Sequence, residues 1–200
     1  MTEHHTSGCG CSCGKPSPID ILKNEHRVIE VVLSAIERGA ASSRIDVPLF
    51  RDAIDFLRNF ADGCHHAKEE NELFPRLEAV GIPRDGGPIG CMLDEHTQGR
   101  ALIRRMVASL DGIEHGDLSA VADLRAATTG YVELLRKHIW KEDNVLFEMA
   151  NRALSHEERR AMRSGFEKAE ENEGGHARHD HYVQMAQRLF AQAQTATVGA

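Results

Sequence analysis

The feature of this 200-residue sequence that points most directly to chemistry is a ten-residue pattern, H-x-x-K-E-x-N-x-L-F. It occurs at residues 65–74 and again at residues 138–147. In each copy a histidine and a glutamate are four positions apart, so on a helix both side chains project from one face. One imidazole and one carboxylate from each of two helices can hold a pair of iron or manganese ions inside a helix bundle. The two pairs are His65 with Glu69 and His138 with Glu142.

Apolar residues at alternating steps of three and four predict the helices that must position these side chains. Ser17-Pro18-Ile19-Asp20 predicts the start of the first helix, because it places a hydroxyl cap, a proline and an acid in order. Ser155 with Glu158 predicts the capping box of a later, shorter helix. We therefore predict an all-α protein built on an antiparallel four-helix bundle. Its predicted parts are a flexible Cys/His/Gly-rich tail (1–16), the bundle (17–150) and a C-terminal helical extension (151–200).

Six polar residues occupy positions where the helical stripes call for apolar side chains. A lone core histidine is usually a hydrogen-bonded packing residue, and it would carry no functional meaning by itself. Burying an imidazole on each of four helices together with two carboxylates would be costly without partners. A metal centre supplies those partners. The candidate ligands are His26, His65, Glu69, His96, His138 and Glu142.

The kind of ligand narrows the choice of metal. Zinc sites usually need four ligands and often use cysteine, whereas calcium prefers oxygen ligands alone. Mixed imidazole and carboxylate ligation favours iron, and manganese after it. Two carboxylates that bridge both ions leave positions for an oxo or hydroxo group, water or an incoming small molecule.

The layout of these residues resembles the hemerythrin-like, or HHE cation-binding, domain family, and in particular its stand-alone bacterial members. The similarity covers about residues 17–150. It implies a non-haem di-iron centre in which two carboxylates and an oxygen atom bridge the ions. The stretches that carry it are Glu25-His26, His65-His66-x-x-Glu69-Glu70 and Leu73-Phe74-Pro75.

Each copy of the pattern allows two assignments of the ligand residues. His66 and Glu70 have the same spacing as His65 and Glu69, but an α-helix turns them about 100° away from the apolar face. In the second copy, the H-x-x-x-x-D spacing of oxygen-carrying family members is met by Asp143. We prefer Glu142, which matches Glu69 in the repeat and lies on the core stripe.

Arg100 departs from the pattern of the oxygen carriers, which have a second histidine four residues after the one in the third helix. This departure counts against simple reversible oxygen carriage. The stretch from His179 to Tyr182, H-x-x-Y, resembles a C-terminal segment of many stand-alone bacterial members. His179 is therefore a candidate for an additional ligand or a residue of the pocket, although an exposed helix start is the favoured interpretation.

Composition limits the partners. The net charge of −7 and the lack of a basic stripe count against nucleic acid. No apolar run approaches the roughly 20 residues that cross a bilayer, so no membrane partner is expected. The first residues have no hydrophobic signal core, and the cysteines suggest no disulfide framework, so we expect a cytoplasmic location. A disordered tail is the favoured interpretation of Cys9, Cys11 and Cys13, although exposed thiols could deliver metal or respond to oxidants.

These observations favour a non-haem di-iron protein that binds or reacts with a small diatomic or peroxidic species, namely O2, NO or H2O2, and uses an electron donor that the sequence does not identify. One alternative is an iron- or oxygen-responsive sensor, although a sensor usually has an output domain. Another is a reversible oxygen-binding or iron-storage protein. Storage is disfavoured because no ferritin-type pair of E-x-x-H motifs is evident.

Overall fold

The structure is a computed structural model that describes residues 16–172 and 175–195. This part of the chain is helical with short links and contains no strand. Three segments have the wider π-helical turn: π1 (Leu57–His66), π2 (Glu69–Leu73) and π3 (Glu142–Leu146). The α-helices are α1 (Pro18–Ala41), α2 (Val47–Phe56), α3 (Phe74–Ala79), α4 (Pro88–Glu114), α5 (Ser119–Lys141), α6 (Phe147–Ala153), α7 (His156–Asn172) and α8 (Gly175–Thr195).

The predicted helix starts are confirmed at two capping boxes. Ser17 accepts a hydrogen bond from the amide of Asp20, whose carboxylate accepts one from the amide of Ser17. Ser155 and Glu158 make the same reciprocal pair at α7. Each box satisfies two amides that a helix start would otherwise leave unbonded. These local signals fix where α1 and α7 begin.

The four bundle helices are α1, the continuous run from α2 to α3, α4, and the continuous run from α5 to α6. The second run does not stop at Pro75, which lies in the first turn of α3 directly after π2. Two apolar clusters fill the bundle, one at each end of a polar layer. The all-α bundle predicted from the sequence is therefore confirmed.

The C-terminal extension is packed into the bundle. Helix α8 lies along α1 and α2 and buries Tyr182, Met185 and Leu189 in the first apolar cluster. Helix α7 contributes Met162 and Phe166 to the second cluster. The extension therefore completes the core on one side of the bundle.

Residues 1–15 of the predicted flexible tail, including Cys9, Cys11 and Cys13, lie outside the described residues. Among the helices that are described, none combines the length and the apolar character needed to cross a bilayer.

Candidate metal centre

A layer of polar side chains crosses the middle of the bundle. On α1, His26 lies between Leu22 of one apolar cluster and Ile29 of the other. The other three bundle helices contribute to the same layer at equivalent heights. Every imidazole and carboxylate in the layer is at least 95% buried, so the apolar ends exclude water from it. The residues of the layer are His26, His65, His66, Glu69, His96, His138 and Glu142.

Potential ligand atoms in this layer form two groups that share one glutamate. Within each group, the atoms lie within 4.8 Å of one another, a spacing that a single metal ion can span. All six ligands predicted from the sequence fall into these groups, and His66 joins them. Group 1 consists of His26, His65, Glu69 and Glu142, and group 2 of His66, Glu69, His96 and His138.

Both glutamates face both groups. Glu69 Oε1 lies 3.5 Å from Nε2 of His65 in group 1, and its Oε2 lies 3.5 Å from Nε2 of His96 in group 2. Glu142 Oε2 lies 3.2 Å from Nε2 of His26 and also 3.2 Å from Nε2 of His138. A carboxylate in such a position can bridge two ions.

Several of these buried atoms have no hydrogen-bond partner. They include Nε2 of His26 and of His65, and both carboxylate oxygens of Glu69 and of Glu142. Buried polar atoms are almost always hydrogen-bonded, and unpaired carboxylate oxygens are especially costly. Imidazole nitrogens and carboxylate oxygens are also the donors that iron and manganese accept. The residues present therefore fit a metal pair.

The electrostatics of the layer agree with this interpretation. Burial raises the pKa of Glu69 well above its usual range, and the neighbouring carboxylate of Glu142 raises it further. Burial would also raise the pKa of Glu142, but His138 and His26 lower it well below its usual range. The pKa of His138 rises to about 9 despite its burial, because Glu142 and Glu95 stabilise its charged form. The protons on Glu69 and His138 offset part of the negative charge of this layer. Bound metal ions would take over that role and displace the protons.

The expectation that His66 turns away from the bundle interior is wrong. His66 is buried, and its ring stacks on His96 with the ring centroids 3.8 Å apart. The reason is the π-helical segment π1, which ends at His66. A π-helix has more residues per turn than an α-helix, so successive side chains are separated by a smaller angle. Consequently His65 and His66 both face the layer, one in each group.

The five imidazoles are held from behind by carboxylates. In each case Nδ1 faces a carboxylate oxygen at hydrogen-bond distance, which leaves Nε2 to face the centre. Such contacts fix the tautomer and the ring orientation of a metal-binding histidine. The pairs are His26 with Asp143 (2.8 Å), His65 with Glu25 (2.9 Å), His66 with Asp62 (3.2 Å), His96 with Glu70 (2.7 Å) and His138 with Glu95 (3.0 Å).

The lysine of the repeated pattern now has an explanation. Lys68 donates to Glu25, the same carboxylate that holds His65. Lys141 donates to Glu95, which holds His138. Arg27 plays the equivalent part for Asp143.

The final phenylalanine of each copy has a role as well. The amide of Phe74 donates to the carbonyl of Glu69, and that of Phe147 to the carbonyl of Glu142, each closing a π turn. The Phe74 ring stacks near His96 and the Phe147 ring near His26. The pattern therefore encodes a ligand pair, its outer support and the turn that follows.

Residues 17–150 match the model of the hemerythrin HHE cation binding domain. The chain belongs to this family. The match covers the bundle and all the residues of the two metal groups, so the HHE domain of this chain is a cation-binding domain.

Related chains of known sequence occur in mycobacteria. An uncharacterized protein of Mycobacterium bovis and uncharacterized proteins from two strains of Mycobacterium tuberculosis are each 27% identical to this chain over 165 residues. The aligned region is 80% of this chain and 64% of each relative. The chain thus spans less than two thirds of the relatives' length, and their names supply no activity.

Arg100 of the HHE domain clamps two of the outer carboxylates. Its Nε donates to Asp62 at 2.8 Å, and its guanidinium also donates to Glu70 at 2.7 Å. Asp62 and Glu70 hold His66 and His96, which both belong to group 2. Where the oxygen carriers have an additional histidine, this chain therefore has a residue that supports two ligands from outside.

We expect Arg100→Gln to weaken metal binding about tenfold, because loss of an outer-shell contact typically lowers metal affinity 10- to 100-fold. The measurement is competition with a chromogenic chelator at fixed pH. Arg104→Gln is the matched control, since Arg104 is exposed one turn further along α4. Equal affinities for the two variants would show that the clamp does not support group 2.

His179 does not join either metal group among the described residues. Its ring lies 5.4 Å from that of Phe60, and its side chain is about one-third exposed. It lines a small cavity of about 20 Å³ together with Cys64, Glu170 and Tyr182. The structure therefore places His179 beside a pocket and outside the ligand set. Asp143 and Glu70 likewise lie behind the ligands.

Proposed function

We propose that this chain is a non-haem di-iron protein that binds or reacts with a small diatomic or peroxidic species such as O2, NO or H2O2. The observation that carries the proposal is the position of Glu69, whose two oxygens each face a histidine of a different group. A buried carboxylate in that position, with neither oxygen hydrogen-bonded, is suited to bridging two cations. Iron is favoured over manganese by the mixture of imidazole and carboxylate.

The two groups are unequal, and this bears on reactivity. Group 2 offers three imidazoles and group 1 offers two, while Glu69 and Glu142 serve both. A six-coordinate ion in group 1 would therefore keep one more position for water or an incoming molecule. When bound, a pair of ferrous ions supplies electrons and coordination positions for a diatomic or peroxidic ligand. The protein supplies a dry layer and five imidazoles whose orientation is already fixed.

Reversible oxygen binding is the second candidate, and one observation favours it. Arg100 counted against oxygen carriage because it replaces a histidine of the carriers. His66 now supplies a third imidazole to group 2 from a different helix. The ligand types of an oxygen carrier are then all available. The choice between carriage and turnover therefore depends on how long an oxygen adduct lasts. We also propose that the protein is cytoplasmic and that it uses an electron donor, which the sequence does not identify.

We expect protein purified in air to contain about two irons per chain and to show near-ultraviolet charge-transfer absorption from an oxo bridge. Metal analysis by mass spectrometry and an absorption spectrum check both. One zinc per chain with a featureless spectrum would contradict the proposal. Rapid mixing of the reduced protein with O2, NO and H2O2 in separate experiments then distinguishes the candidates. An oxygen adduct that is stable for hours and releases O2 under vacuum would identify a carrier, whereas continued loss of added peroxide would identify turnover.

A further inference from the structure

Lys68 occupies an unusual position for a charged side chain. It is fully buried, with 0% of its side chain exposed, and its ammonium group lies 5.7 Å from the centre of the Phe166 ring. A buried charge is costly unless it is paired and hydrogen-bonded. Lys68 meets this requirement with two carboxylates. One is Glu25 of α1, and the other is Glu170 of α7, at 2.6 Å.

These contacts form a continuous chain from the C-terminal extension to group 1. Glu170 binds Lys68, Lys68 binds Glu25, and Glu25 accepts the hydrogen bond from Nδ1 of His65. All three links join different helical elements, and Glu25 is 2% exposed. Water therefore screens the chain weakly, so a change in charge at Glu170 is felt at Glu25.

The second copy of the repeat provides an internal comparison. Lys141 makes the equivalent bond to Glu95, which holds His138. The side chain of Lys141, however, is 31% exposed, so water can solvate its ammonium group. The buried ammonium group of Lys68 has the carboxylate of Glu170 in place of that water. The extension therefore covers the first copy of the repeat and leaves the lysine of the second partly in solvent.

Helix α7 is fitted closely to the first copy. A Cβ atom at Gly165 would lie 2.2 Å from the carboxylate of Glu72 in π2, so glycine permits this approach. Glu72 is itself held by Arg76 at 2.6 Å, which limits how far it can move aside. Phe166 follows Gly165 and packs under Lys68. The approach of α7 brings Glu170 to the ammonium group.

We propose that Glu170 is a positioning residue, through which the C-terminal extension holds His65 in place for group 1 by way of Lys68 and Glu25. This inference rests on the proposed di-iron centre and adds to it a part of the chain beyond the HHE domain. The extension then controls one of the two metal positions. Glu170 is a member of neither group, and its effect passes through Lys68 and Glu25.

The test compares Glu170→Gln with Glu171→Gln, whose side chain is exposed on the next position of the same helix. Both variants are loaded with metal and mixed with excess chelator, and release is followed over time. We expect one of the two metal equivalents to leave Glu170→Gln roughly threefold faster, which is less than the 10- to 100-fold effect of losing a contact made directly to a ligand, because two residues lie between Glu170 and His65. The other equivalent should leave at the wild-type rate, because the series of contacts from Glu170 ends at His65, a residue of group 1. Glu171→Gln should behave as wild type.

A double-mutant cycle and an unfolding measurement separate positioning from anchoring. In a Lys68→Met background, Glu170→Gln should have no further effect on release, because the link is already broken. Equal release from Glu170→Gln and wild type, or additive effects in the cycle, would overturn the proposal. So would faster release of both equivalents together with a lower unfolding temperature of the metal-free protein, which would show that Glu170 only anchors α7. If wild-type protein takes up no metal pair, it is the di-iron proposal that fails.

Discussion

Glu69→Gln should leave the protein with almost no bound metal, and Glu142→Gln should do the same. Each carboxylate faces both metal groups, so losing either removes an anionic ligand from both ions at once. We expect the metal content to fall from about two per chain to near zero, since both ions depend on the shared carboxylates. Glutamine keeps the size of the side chain, so no cavity forms. Metal analysis after loading and gel filtration checks the result.

The metal-free Glu69→Gln protein should be at least as stable as the metal-free wild type at neutral pH. Burial beside Glu142 raises the pKa of Glu69 well above its usual value, so the folded state holds this proton more tightly than the unfolded state does. A group of this kind stabilises the fold at low pH and loses that contribution as the pH rises above the unfolded value toward the raised pKa. Glutamine does not titrate. Thermal unfolding of both metal-free proteins, from about pH 4, close to the ordinary glutamate pKa of about 4.3, up to about pH 8, should therefore show a smaller decline of the unfolding temperature with pH for the variant.

Glu70→Gln and Asp143→Asn are the controls for helical register. Both side chains contact Nδ1 of a histidine from behind, so these variants should bind both metals with lower affinity. Loss of both metals from Glu70→Gln, with retention in Glu69→Gln, would contradict the arrangement described above and place the bridging role one residue later.

The six candidate ligands could be found from the sequence because each occupies an apolar slot on an α-helical stripe. Periodicity identifies the buried face of a helix, and a polar residue on that face needs a reason. The capping boxes at Ser17 and Ser155 could be found for a similar reason, since their residues lie close together in the chain. Local rules work where the partners are local.

His66 could not be placed from the sequence, because its position depends on π1. An α-helical period assigns it to the outside, and no simple propensity announces a π turn. The doublet His65-His66 was the available signal, since two neighbouring histidines before a buried glutamate have little use on a solvent face. The carboxylates behind the ligands could not be assigned from the sequence either. Glu25 and Glu95 directly precede ligands, but each contacts a histidine of another helix, and helical periodicity does not predict which helix lies opposite.

The structure also shows that the repeat is part of a larger two-fold pattern. The unit is a Glu-His pair on one helix and the H-x-x-K-E pattern on the next. In the first half, Glu25 receives the hydrogen bonds of His65 and Lys68, and in the second half Glu95 receives those of His138 and Lys141. Two departures break this symmetry. His66 has Ile139 as its counterpart in the second copy, and Glu170 reaches only the first lysine. The two groups are therefore similar in their histidine–glutamate–lysine contacts and differ at His66 and Glu170.

His66→Leu should lower the metal content from about two toward one per chain, because it removes one of the three imidazoles of group 2 and puts a side chain with no donor atom in its place. Leucine fills most of the space beside His96. The acid that held His66 stays paired, because Asp62 also accepts from Arg100 at 2.8 Å. The variant should therefore fold, and group 1 should keep its own ligands. Metal analysis and the loss of oxo-bridge absorption report the change.

The matched control for this prediction is His156→Leu, which removes an exposed histidine at the start of α7. It should keep two metals and the wild-type spectrum. If His66→Leu also kept two metals with an unchanged spectrum, His66 would be a packing residue, and group 2 would resemble group 1 in its ligands. In that case both ions would keep an open position, and the objection to reversible oxygen carriage would return. His66, which the α-helical period assigns to the outside of the helix, therefore bears directly on the choice between oxygen carriage and turnover.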